Sequence, residues 1–156
     1  MAIKNKVCNF TLYFSKFAMN EKDYIFEYKI DVRDYEIDAE GIVNNANYLH
    51  YLEHTRHEFC RHVGFSFAQM REQGIDPVLS RLEIDYMTPL RSGDTMISCL
   101  NISRRGPRFV FNQDIYRESD HSPVVKAVVT VVSLKDGKLT RGEEIAEAFK
   151  EYLEQK

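Results

Sequence analysis

The sequence predicts an α+β domain in which one long helix, a short terminal helix and about five antiparallel strands share a single core. Positions Tyr48, Leu52, Thr55, Phe59 and Val63 recur at steps of three and four, so one stripe of a helix faces inward. Tyr24, Phe26, Tyr28, Ile30 and Val32 alternate with Ile25, Glu27, Lys29, Asp31 and Arg33, the period of a strand with one buried face. After the helix, four strand-like runs follow one another without alternating helices, as in an antiparallel α+β domain.

Residues 1–20 read as an N-terminal extension ahead of one domain over 21–156. Lys4 and Lys6 before Val7-Cys8 imitate a signal peptide, but Asn9, Thr11 and Ser15 dilute its apolar part, and Met19 is an alternative start. The first strand begins at Tyr24. A turn around Gly41 carries Asp38 and Glu40, the Asn44-Asn45 pair stands where a helix N-cap belongs, and Gly64 stops the helix. Phe65 to Gln73 predicts a second helical piece closed by Gly74, and Asp76-Pro77 is expected to break the chain. Leu82, Ile84 and Tyr86 then mark a strand ending at Pro89. Met96 to Ser103 and Arg108 to Tyr116 predict a hairpin turning at Gly106-Pro107, and Val124 to Leu134 predicts a strand covered on both faces. Asp136-Gly137 reads as a tight turn. Ile145, Phe149, Tyr152 and Leu153 share one face of a terminal helix, with Thr140 and Glu143 as its capping box.

The chain has 156 residues, 44% hydrophobic and 12% aromatic, enough for a core of its own. A net charge of −3 gives no general attraction to nucleic acid, and no apolar run approaches the ~20 residues of a membrane span. The 3 cysteines, Cys8, Cys60 and Cys99, lack the spacing of a zinc site or a disulfide framework, so a reducing cytoplasm is the expected setting.

The series Asp38-x-x-Gly41-Ile42-Val43-Asn44-Asn45-x-x-Tyr48, followed by Tyr51-Leu52-Glu53-x-x-Arg56, resembles the hotdog-fold acyl-CoA thioesterases. The likeness is to the branch of 4-hydroxybenzoyl-CoA thioesterase and the Tol-Pal-associated enzymes. It implies a hotdog fold, a sheet wrapped around the long helix, and protomers joined edge to edge as a homodimer or homotetramer. It implies Asp38 as nucleophile or general base, the Asn45 backbone amide as oxyanion donor, and Gly41, Tyr48 and Glu53 in support. Several relatives carry a histidine where Asn45 stands, so a histidine-assisted water attack is not expected here.

A thioester asks for a carboxylate and an oxyanion site, because its leaving thiol, with a pKa of about 8.5, needs little acid assistance. Neither a metal nor an organic cofactor is expected. Arg104, Arg105 and Arg108 around the Gly106 turn are candidates for the phosphates of coenzyme A. Glu53 and Arg56 are spaced to pair on the helix. Two other substrate readings are an acyl group on acyl carrier protein and a non-catalytic acyl-CoA binding module. From another enzyme class, His50-x-x-Glu53-His54 matches the inverted zinc-peptidase motif, whose histidines share a helix face. A peptidase of that type needs a larger scaffold and a third protein ligand, whereas here the motif lies inside the thioesterase-like helix.

Overall fold

A computed structural model describes residues 24–153. The expected extension, Met19 and Cys8 lie outside them. Strand β1 (Phe26–Asp31) is followed by a 3-10 turn, Asp34–Glu36, and by helix α1 (Asn45–His62). Helix α2 (Phe67–Glu72) leads into β2 (Ile75–Tyr86), β3 (Thr95–Arg105), β4 (Arg108–Arg117), β5 (Pro123–Lys135) and the two-residue β6 (Lys138–Leu139). Two short helices, α3 (Glu143–Ala148) and α4 (Lys150–Leu153), close the described chain.

Every strand pairing is antiparallel, in the order β1-β3-β4-β5-β2, with β6 on β5. The sheet curls around α1, whose Tyr48, Leu52, Thr55 and Phe59 are buried as the stripe predicts. One core cluster gathers Ile30, Tyr48, Leu52, Met96 and Ile115, and a second gathers Phe59, Leu100, Phe109, Val129 and Phe149. Helix α1 supplies both, so it is the spine of the domain. Burying each such Leu, Ile or Phe contributes about 1.5–3 kcal/mol. The polar groups along the stripe are paired: Thr55 Oγ1 donates to the Tyr51 carbonyl at 2.9 Å and shares a 2.8 Å bond with Ser98 Oγ.

Three expectations need correction. The chain does not break at Asp76-Pro77; β2 runs through it from Ile75, because among the described residues β2 pairs with β5 alone and an edge strand tolerates a residue without an N–H. The capping box of Thr140 and Glu143 is absent: the N-cap of α3 is Gly142 at φ 67°, and Thr140 Oγ1 accepts the Gly142 N–H at 3.1 Å. The terminal helix is also split at Phe149, whose N–H still donates to the Ile145 carbonyl at 3.1 Å while its ring enters the core. Among the described residues no helix is long and apolar enough to cross a membrane.

Candidate active site

Residues 36–44 fold back on themselves as a tight hairpin. The Asn44 N–H donates to the Glu36 carbonyl at 2.9 Å, Ile37 bridges Val43, and the Asp38 N–H donates to the Ile42 carbonyl at 2.8 Å. Gly41 at φ +74° lets the tip close, with its N–H on the Asp38 carbonyl at 3.1 Å. Asp38 is half-buried, and its Oδ1 accepts the N–H groups of Glu40 at 3.0 Å and Ile42 at 3.4 Å. Among the described residues Oδ2 receives no donor. Glu40 is exposed and meets Asp38 through its backbone, not its carboxylate.

Helix α1 begins where the hairpin ends. Asn44 is the N-cap: its Oδ1 accepts the Ala46 N–H at 3.0 Å, and its carbonyl accepts the Asn47 N–H at 2.9 Å. Ahead of those two donors, the exposed Asn45 N–H finds no acceptor among the described residues. It points from the positive end of an 18-residue helix. Tyr86 Oη, at the end of β2, donates to the Asn45 carbonyl at 3.1 Å. Tyr48 is buried, and its Oη accepts the Leu90 N–H at 3.2 Å; Leu90 in turn accepts the Val43 N–H at 2.8 Å. Tyr48 therefore braces the hairpin from below, and burial raises its phenol pKa.

The other predicted residues stand apart within one chain. Glu53 lies eight residues along α1 from Asn45, about 12 Å of helix. It does not pair with Arg56 as its spacing suggested: Arg56 Nη1 donates to Gln113 Oε1 at 2.9 Å, and Gln113 Nε2 donates to the Leu52 carbonyl at 3.0 Å. Burial lowers the Arg56 pKa while the charge of Glu53 opposes that shift. Both line a cavity of about 110 Å³ whose walls include His57, Cys60, Phe65, Leu79, Phe111 and Phe149. Burial depresses the His57 pKa and pushes the Cys60 thiol up to about 12.

Arg104 is engaged elsewhere. Its guanidinium donates to Glu143 at 2.9 and 3.1 Å and to the Arg141 carbonyl at 2.8 Å, 5.7 Å above the Phe109 ring. Its role is to hold α3 against the sheet, because the strand end and the helix start meet there. Arg105 and Arg108 are exposed at the hairpin tip. That tip is separated from Met96, at the other end of β3, by about 30 Å of strand. A cation does stand at the tip of the Asp38 hairpin: Arg91, whose Nη1 donates to the Gly41 carbonyl at 3.1 Å. In the zinc-peptidase motif, His54 stands 3.9 Å from Glu58 and edge-on to Tyr28. Among the described residues no group of three or more His, Cys, Asp or Glu is gathered to hold a metal.

Sequence reasoning missed Glu36. It is 7% exposed, and its carboxylate accepts from Tyr51 and Arg33 beneath the hairpin. The hydroxyl that donates to it is fifteen residues away, on a face of α1 that only the fold brings close.

The model of the thioesterase-like superfamily matches residues 32–153. A chloroplastic acyl-acyl carrier protein thioesterase of Arabidopsis thaliana is 35% identical over 102 residues, covering 65% of this chain and 54% of that protein. The chain thus spans little more than half the length of that relative. The acyl-CoA thioesterase YbgC of Haemophilus influenzae is 29% identical over 116 residues, 73% of this chain and 84% of that one. The crystal structure of a hypothetical protein from Aquifex aeolicus superposes with a TM-score of 0.73 at 34% identity, covering 79% of this chain and 98% of that one. By the matched model, the antiparallel sheet curled around α1 and these relatives, the chain belongs to the thioesterase-like superfamily of hotdog proteins.

Proposed function

We propose that this protein hydrolyses an acyl-CoA thioester to a carboxylic acid and free coenzyme A, with the Asp38 carboxylate and the Asn45 backbone amide as its reacting groups. The observation that carries the reading is their proximity in the fold: among the described residues, a carboxylate with one oxygen free of donors sits on one arm of a closed hairpin, and an N–H without an acceptor opens the helix that follows the other arm. The carboxylate either attacks the thioester carbon or takes a proton from the water that does. As the carbonyl oxygen gains charge, the Asn45 N–H at the positive helix end opposes it; one such donor is typically worth about 3 to 4 kcal/mol. Collapse of the tetrahedral species breaks the carbon–sulfur bond and releases the thiolate. If Asp38 attacks directly, water then cleaves the mixed anhydride and regenerates the carboxylate.

The Arabidopsis relative's name favours a second reading, in which the same hairpin acts on acyl groups carried by acyl carrier protein. Thiol release from acetyl-, hexanoyl-, lauroyl- and benzoyl-CoA and from lauroyl-acyl carrier protein separates the readings. Faster turnover of a coenzyme A thioester supports the first and faster turnover of the carrier-protein thioester the second. Binding without release contradicts both and leaves a binding module.

The working unit in this reading is a homodimer, alone or doubled into a tetramer. Among the described residues strand β2 is an edge whose Val78, Leu79 and Tyr86 remain 39–48% exposed. Tyr86 at one end of β2 holds the Asn45 carbonyl, and Pro77 and Leu79 at the other end line the cavity. Antiparallel self-pairing of β2 therefore lays the α1 N-terminus of one protomer beside the cavity of its partner.

A further inference from the structure

Beneath the Asp38 hairpin lies a buried carboxylate that the proposed chemistry does not use. Glu36 Oε2 accepts from Tyr51 Oη at 2.6 Å and from the Arg33 N–H at 2.8 Å, and Oε1 accepts from Arg33 Nη1 at 3.2 Å. Its backbone carbonyl accepts the Asn44 N–H at 2.9 Å and Asn47 Nδ2 at 2.8 Å. One residue is therefore bonded to the strand exit before Asp38, to the N-cap before Asn45 and to the second turn of α1. Burial and the hydrogen bond to Glu36 raise the Tyr51 pKa, so the phenol keeps its proton and donates. Burying a carboxylate is costly unless its lone pairs are filled, and an apolar residue would serve a core equally well.

We propose that Glu36 is a positioning residue, which with Tyr51 fixes the Asp38 arm of the hairpin against the start of α1 at Asn45 and so sets the distance between carboxylate and oxyanion donor. The inference rests on the assignment of Asp38 and Asn45 above. Misplacing reacting groups by about 1 Å is enough to cost on the order of a hundredfold in rate.

The test is a mutant cycle on whichever of the four acyl-CoAs named above turns over fastest, at a temperature where circular dichroism shows each variant folded. Tyr51→Phe and Glu36→Gln should each lower kcat about tenfold or more with KM within about twofold, and Glu36→Ala should be worse than Glu36→Gln. In an Asp38→Asn background the same changes should cost less than about twofold, because a residue that acts by placing a carboxylate has nothing to place. Unchanged kcat in Tyr51→Phe and Glu36→Gln overturns the proposal, as does an equal loss in both backgrounds. If Asp38→Asn alone turns over at the wild-type rate, the assignment of Asp38 falls, and the clamp with it. An inactive Asp38→Asn beside a fully active Tyr51→Phe removes the clamp alone.

Discussion

Gly142 shows how a single residue sets the frame around the site. At φ +67° it occupies the left-handed region, and a Cβ there would stand 2.7 Å from Cε2 of Phe109, a fully buried ring. The left-handed conformation costs an L side chain about 1–2 kcal/mol, and the overpacking adds about 1–3 kcal/mol. Gly142→Ala should therefore destabilise the fold by at least about 2 kcal/mol. In a chain of this size that lowers the melting temperature by about 5 °C or more, read by calorimetry. An unchanged transition would show that Phe109 moves aside freely. The Asp38 hairpin was legible at this scale because it is local: a carboxylate, a turn glycine and a capping asparagine within eight residues. Gly142 and Glu36 were not, since what makes each necessary is a side chain distant in sequence, Phe109 for one and Tyr51 for the other.

Elements were legible where one face is buried and the other wet. Strand β1 and the stripe of α1 match their periods, and the Gly106-Pro107 hairpin joins β3 to β4 as read. Pro77 misled because a proline argues against a central strand but not against an edge, and edge position is a property of the sheet. The spacing of Glu53 and Arg56 misled in the same way. The competing acceptor, Gln113, comes from β4 and is fully buried. The free edge of β2 makes a prediction of its own. A twelve-residue strand paired on one side, with exposed Val78 and Leu79 and an outer edge open among the described residues, is a template for self-association. Analytical ultracentrifugation should find the protein at twice the monomer mass or a multiple of that, and Val78→Glu with Leu79→Glu should shift it toward monomer with loss of turnover. A monomeric wild type with full turnover would contradict the shared site.

At the scale of the whole molecule, one hairpin-and-helix unit sits at one end of a curled sheet, and the cavity beside Glu53 and Arg56 and the exposed arginines sit toward the other. The surroundings of Arg104 were the least legible part, because its partners, Glu143 and the Arg141 carbonyl, lie nearly forty residues away in sequence. Separation within one chain gives the proposed dimer its purpose, since a partner turned about β2 brings the two ends together. The central claim remains chemical: the carboxylate on the hairpin breaks the thioester. Asp38→Asn keeps the size of that side chain and removes its charge, while Glu40→Gln makes the same change on a neighbour that faces solvent. Steady-state thiol release, measured on both variants alongside circular dichroism, should show kcat lowered by at least about two orders of magnitude in Asp38→Asn and close to wild type in Glu40→Gln, with both folded. Wild-type turnover by Asp38→Asn would contradict the account.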